Sequence, residues 1–159
     1  GACCLKPQQP GLSDNIWAIS IVDKFLEHAR IIIFCNNDAE KVFISSADWM
    51  PRNLDRRLEV AAPIFCPQLA QTLRDIFAIQ WSDNIKARVL TDTCANSYHS
   101  GLASIPCRSQ TMLHDYYRHK AHLHGGVKPA HQTAPASTAE YSIPAAAPAA
   151  TGTPAACGE

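Results

Sequence analysis

Along residues 30–44 the chain alternates apolar runs with turn residues. Arg30 to Phe34 and Lys41 to Ile44 have strand composition, and Asn36-Asn37-Asp38 between them is turn chemistry, so the pair predicts a hairpin. Ile31 to Phe34 is a continuous apolar run, which predicts a strand covered on both faces. Upstream, Ala2 to Leu5 reads as a short buried strand, ended by the loop Lys6-Pro7-Gln8-Gln9-Pro10-Gly11. Ser13 or Asp14 can cap the segment after the loop. Ile16 to Ile19 reads as a short strand. Ile21, Val22, Phe25 and Leu26 recur with helical spacing, predicting a helix from about Ser20 to Glu27 that ends just before His28.

Downstream, Asp48 to Leu54 reads as a turn, or as one helical turn containing Pro51. Arg56 to Ala62 is strand-like, with Leu58 and Val60 on one face, and Pro63 and Pro67 close it. Gln68 to Trp81 is the clearest amphipathic helix, with Leu69, Leu73, Ile76, Phe77 and Trp81 on one stripe. Asn84 to Leu90 alternates and reads as a last strand, and Thr91 to Pro106 is irregular. Ser109 to His122 predicts a terminal helix with Met112, Leu113, Tyr116 and Tyr117 as its apolar side. From about Gly125 the residues are mostly Ala, Pro, Thr and Ser, a composition that cannot build a core and predicts disorder. The organisation expected is therefore a domain over residues 1–122 and a low-complexity tail over 123–159.

Composition adds a few bounds. The chain has 159 residues and a formal net charge of zero, which gives no indication of a nucleic-acid binder. No signal peptide or membrane-spanning run is visible. The chain starts with Gly and opens inside an expected strand, which suggests a fragment whose sheet partners lie upstream. Its seven cysteines form no C-x-x-C pair, so reduced thiols are the plain reading and zinc finds no support in the spacing.

The hairpin frames the candidate chemistry. His28 stands at its start and the small polar corner Ser45-Ser46-Ala47-Asp48 at its end. A histidine, an arginine two positions on and hydroxyls at the corner can together grip a phosphate: the imidazole attacks, protonates or hydrogen-bonds an oxygen, and the guanidinium and hydroxyls neutralise and position the rest. Taken alone, His28 reads as an ordinary histidine with a satisfied hydrogen bond. Arg52, Arg56 and Arg57 form a basic cluster that suits a polyanion, or equally a solvated strand end. Phosphate contact is expected of Arg52, and structural pairing with Asp55 or Glu59 of one of the others. Ser46 and Asp48 read either as part of the phosphate corner or as caps of the turn after it. His114, His119, His122, His124 and His131 form a loose tract that no Cys or carboxylate completes, and it reads as adventitious. No Walker-type glycine loop is present.

Gly11-Leu12-Ser13-Asp14-Asn15-Ile16, Ser20 to His28 and Ser45 to Asn53 resemble the C-terminal catalytic domain of bacterial polyphosphate kinase, and the likeness runs from Gly1 to about Arg118. The resemblance implies an α/β, phospholipase-D-like lobe with a mixed sheet flanked by helices. It implies reversible transfer of the ATP γ-phosphate to polyphosphate through a phosphohistidine, with Mg2+. The phosphorylated histidine belongs to a preceding lobe, and His28 matches the second histidine, implied to bind nucleotide phosphate or assist transfer. His28-Ala29-Arg30 also resembles the H-x-K half of the phospholipase D signature with Arg for Lys, and Ser45 to Asp48 its Gly-Ser-x-Asn with Asp for Asn. That Asp48 needs a nearby cation, which Arg52 or magnesium could supply. The site residues implied are His28 as catalytic group and His28, Arg30, Ser46 and Arg52 as ATP or phosphate contacts, with no metal ligands assigned. An arginine that contacts nucleotide phosphates in the family precedes the position of Gly1, and Trp17 stands where the family usually carries a basic residue. Trp17 bears on affinity for the polymer, whereas the Gly start, the missing arginine and the missing first histidine lobe lead to the expectation that the chain alone is inactive. Partners implied are ATP/ADP and inorganic polyphosphate, with no nucleic acid, in a cytoplasmic homo-oligomer associated peripherally with the inner membrane. The alternatives are a phospholipase-D-type phosphodiesterase, or a non-catalytic phosphate-binding module.

Overall fold

The computed structural model describes residues 3–91, 96–99 and 105–123. The elements in chain order are β1 (Ala18–Ile21), β2 (Ile31–Phe34), β3 (Lys41–Ser45), α1 (Pro51–Arg56), β4 (Ala61–Pro63), α2 (Pro67–Trp81), β5 (Ala87–Leu90) and α3 (Ser109–Leu123). The class is α/β.

The hairpin forms as its turn residues demand. Asn36, Asn37 and Asp38 all take positive φ (48°, 53° and 63°), the left-handed region that Asn and Asp tolerate best among residues with a side chain. β2 and β3 then pair antiparallel, from Ile31 opposite Ile44 to Phe34 opposite Lys41. β4 adds to the far edge of β3, also antiparallel. β1 and β5 make a separate two-stranded antiparallel sheet. The expected mixed sheet is thus corrected: every strand pair among the described residues is antiparallel. A tight turn leaves β2 and β3 no other choice. Between β3 and β4, α1 is only about 9 Å long, shorter than a strand, and does not carry the chain back for a parallel return.

Several expected elements give way to tertiary contacts. No helix forms over residues 20–27: Ser20 and Ile21 belong to β1, and Leu26 is 94% exposed, so its stripe has nothing to bury against. Cys3 to Leu5 is not a strand, although Cys4 N–H bonds Trp49 O at 2.7 Å. Residues 57–60 do not pair as a strand, and Leu58 is fully exposed at 104%. β2 is half-buried rather than covered on both faces, because it lies at a sheet edge with α2 packed against it.

α2 forms one residue longer than expected, with Pro67 at its first turn, where a missing N–H costs nothing. Its buried positions are Ala70, Asp75, Ile76 and Ile79, while Leu69 and Phe77 are exposed, so the stripe is rotated from the one its apolar residues suggest. The rotation is possible because Asp75 is satisfied: Gln71 Nε2 and the Tyr116 hydroxyl donate to its two oxygens at 2.7 and 2.8 Å. α3 packs on α2 through that contact; Met112, Leu113 and Tyr116 are half-buried as expected, while Tyr117, expected on the same side, is exposed. The core is small: Val42, Ala70, Ile76, Ile79, Ala87 and Cys107. The tail from Gly125, with His131, lies outside the described residues, as does His124.

Candidate functional site

The site is built at the end of the β2–β3 ladder. Ser45 N–H donates to Arg30 O at 2.9 Å, adding one rung beyond the named strand and drawing the 45–48 corner beside His28 and Arg30. Arg30 then bridges the two halves. Its Nε donates to Asp48 Oδ1 at 2.6 Å and its Nη2 meets His28 Nε2. The hydrogen bond to Asp48 holds the Arg30 guanidinium above its ordinary value, and the same bond holds the Asp48 carboxyl below its own, helped by the charges of His28 and Arg52. Asp48 therefore has a cation beside it, Arg30, with Arg52 adding its charge.

Ser46 is engaged elsewhere. Its hydroxyl donates to Glu59 and accepts from Val60 N–H at 3.0 Å. Glu59 takes a second bond from Asn53 Nδ2 at 2.8 Å, and these bonds, from the Ser46 hydroxyl first, hold its carboxyl low. This knot ties the end of β3 to α1 and to the chain entering β4. Ser46 and Asp48 do not cap α1, whose N-cap is Met50 without a side-chain bond. Arg52 is exposed on α1 and acts on Asp48 through charge. Among the described residues, neither Arg56 nor Arg57 forms the ion pair expected with Asp55 or Glu59; Arg57 reaches Glu59 only through its field.

The irregular segment leading to His28 is held by the helices. Arg108 donates twice to Asp23, from Nε at 2.8 Å and Nη2 at 2.5 Å, and this pair keeps the Asp23 carboxyl low. The Gln110 amide both accepts from Phe25 N–H (3.1 Å) and donates to Phe25 O (2.7 Å). Gln80 Nε2 donates to Glu27 Oε2 at 2.6 Å. Sequence reasoning missed these partners, and Asp83 with them, because their contacts join distant parts of the chain and leave no local pattern.

A resident magnesium ion does not fit the described residues. Asp48 is bound to Arg30 and Glu59 to Ser46 and Asn53, and among the described residues the one buried side-chain acceptor without a partner, Asn53 Oδ1, is a single oxygen. No group of three His, Cys, Asp or Glu side chains converges among the described residues, including His114, His119 and His122 on α3.

The family described as Polyphosphate kinase C-terminal domain 2 matches residues 1–110, the whole of the site just described. The chain belongs to the polyphosphate kinase family. It is similar to the polyphosphate kinases of Klebsiella pneumoniae (48% identical) and Escherichia coli K12 (47%), each over 118 residues that make 74% of this chain and 17% of the relative. It is also similar to the crystal structure of polyphosphate kinase from Porphyromonas gingivalis, with a TM-score of 0.69 and 43% identity over 76% of this chain and 18% of that one. The chain thus spans about a sixth of the polyphosphate kinases it matches, 17% of each relative. No helix among its described residues is long and apolar enough to cross a membrane.

Proposed function

We propose that this chain is a phospholipase-D-like lobe of a polyphosphate kinase that reversibly transfers the γ-phosphate of ATP to inorganic polyphosphate. The observation that carries the reading is the Arg30 guanidinium held between His28 and Asp48, at a corner that also holds the Ser46 hydroxyl, the Asn53 amide and the Glu59 carboxylate. A guanidinium offers five N–H donors in a fork, so one anchored by Asp48 still has donors for phosphate oxygens.

In this reading a histidine of another lobe attacks the γ-phosphorus. The bond from that phosphorus to the bridging oxygen breaks, and ADP leaves with the electron pair. A terminal oxygen of polyphosphate then attacks the phosphohistidine, the P–N bond breaks and the histidine is restored. Arg30 and Arg52 neutralise the charge gathered on the phosphate oxygens, and His28 bonds an oxygen or handles its proton. Ser46 joins them by exchanging its acceptor Glu59 for a phosphate oxygen. Magnesium arrives on the nucleotide phosphates, as part of the substrate. We extend the reading to a cytoplasmic homo-oligomer associated peripherally with the inner membrane.

The test is His28→Ala in an intact polyphosphate kinase carrying this lobe. The variant is expected to keep its melting temperature and lose turnover by about a hundredfold or more, the scale of a lost general acid or electrostatic donor. His28→Gln, which donates a hydrogen bond but moves no proton, is expected to recover little. A destabilised variant with normal turnover per folded molecule would remove His28 from the site.

A further inference from the structure

The His28 ring is exposed, yet Nε2 is occupied: Arg30 Nη2 donates to it. A guanidinium has no lone pair to accept with, so in the neutral ring Nε2 carries the lone pair and the proton resides on Nδ1. A free arginine on a surface would not hold such a contact, since its long side chain samples many rotamers. Arg30 is not free. Its side chain is 20% exposed, and its Nε is anchored at 2.6 Å by Asp48 Oδ1. Asp48 is fixed in turn by the corner it stands on. Ala47 N–H bonds Ser45 Oγ at 3.1 Å and Met50 N–H bonds Asp48 O at 2.8 Å.

We propose that Asp48 is a positioning residue that acts through Arg30 to set the tautomer of His28, leaving Nε2 as the ring's unprotonated nitrogen. The proposal rests on the reading that His28 faces a phosphate. A phosphate oxygen is a stronger acceptor for guanidinium than imidazole is. An arriving anion therefore draws an Arg30 N–H away, and Nε2 is released beside the anion with its lone pair open and its proton already on the far side of the ring. His28 thereby presents, at Nε2, the nitrogen that takes up a proton beside the anion and then donates it to a phosphate oxygen. Asp48 touches no reacting atom in this scheme.

The experiment is 15N NMR of the imidazoles of the full chain, without nucleotide or phosphate. It is run at alkaline pH, in the range where the imidazole 15N shifts no longer change with pH. His28→Gln identifies the His28 signals among the seven histidines. Wild type is expected to show Nε2 in the unprotonated range and Nδ1 in the protonated range. Asp48→Asn, whose side-chain oxygen still accepts from Arg30, is expected to keep that pattern, while Asp48→Ala moves Nε2 toward the protonated range. Arg30→Met is expected to do the same, and decides the matter if Asp48→Ala loses its spectral dispersion. A wild-type ring averaging both tautomers, or an Nε2 unmoved in well-folded Asp48→Ala and Arg30→Met, would overturn the proposal. Failure of the functional reading appears elsewhere, as an intact enzyme indifferent to His28→Ala whatever its tautomer.

Discussion

Arg30 Nε donates to Asp48 Oδ1 at 2.6 Å across 18 positions of sequence. The contact exists because β2 and β3 run antiparallel, with Arg30 opposite Ser45, so the corner residue three positions on falls beside the guanidinium. Its consequence is testable on the isolated chain. Arg30→Ala is expected to weaken tripolyphosphate binding by about tenfold or more, since a charge-assisted bond and its orientation are lost together. Arg30→Lys is expected to recover only part, because an ammonium lacks the fork that serves Asp48 and an anion at once. Calorimetric titration of wild type and both variants checks this; equal affinities would exclude Arg30 from the anion site.

Gln110 holds Phe25 by both backbone groups, three residues before His28. Gln110→Ala frees both. Amide exchange at Phe25 is expected to accelerate by an order of magnitude or more, with protection in β3 unchanged, because the contact is local and lies outside the core. Hydrogen exchange by NMR reads both segments in one experiment, and unaltered exchange at Phe25 would show that Arg108 and Gln80 suffice to hold the strap.

Asp83 is fully buried, at 0% exposure, and organises the junction of α2, β5 and α3. Oδ1 accepts from Ile85, Lys86 and Ala87 N–H at 3.0, 2.7 and 3.1 Å, and Oδ2 from Ser109 N–H and Oγ at 2.8 and 2.7 Å. It thereby caps the start of α3 from a distance in sequence. Burial pushes its carboxyl up, but these donors outweigh burial and hold it below the ordinary range. Asp83→Ala strands several buried donors and is expected to cost about 3 kcal/mol or more. A depressed carboxyl contributes stability above the unfolded value of about 3.9, and that stability is lost as pH falls through the folded value. Denaturant midpoints of the wild type are therefore expected to drop below about pH 4, with a shallower drop in Asp83→Asn. Parallel pH profiles would contradict this assignment.

Tyr116 presents the opposite sign. Burial first, then its hydrogen bond to Asp75 and the charge of that carboxylate, push its hydroxyl up to about 12. Its contribution is full below the unfolded value of about 10 and is lost as pH rises through about 12. Tyr116→Phe keeps the ring and removes the donor to Asp75, at an expected cost of about 1.5–3 kcal/mol for a bond to a charged group. The phenolate absorbance titration of this variant should lose its highest step; a titration identical to wild type would assign that step to another tyrosine.

The features legible in the sequence are those whose cause is local. Asn36-Asn37-Asp38 names its own backbone conformation, and the hairpin forms from it without outside help. The 3.6-residue periodicity of residues 68–81 and 109–122 places α2 and α3 because a helix needs only its neighbours for its backbone bonds. His28, Arg30 and the 45–48 corner could be named together for the same reason, since the hairpin that joins them is encoded between them. The polyphosphate kinase family was legible as well, on the segments Gly11 to Ile16, Ser20 to His28 and Ser45 to Asn53.

What the tertiary structure decided are the matters in which a residue chooses among distant partners. Residues 22–27 have helical spacing, yet Asp23, Phe25 and Glu27 are taken by Arg108, Gln110 and Gln80, and contacts 85 and 53 positions away prevail over a short helix with no surface to bury. Asp75 turned the buried face of α2 because Tyr116 came within reach. Asp48 took Arg30 and Ser46 took Glu59, a division that depends on side-chain reach across a folded corner. Turn chemistry and periodicity act through neighbouring residues, so the sequence alone determined the hairpin, the two long helices and the nearness of His28 and Arg30 to the 45–48 corner. Pairing of charges and buried donors depends on which surfaces packing brings together, and so it was decided only by the folded chain.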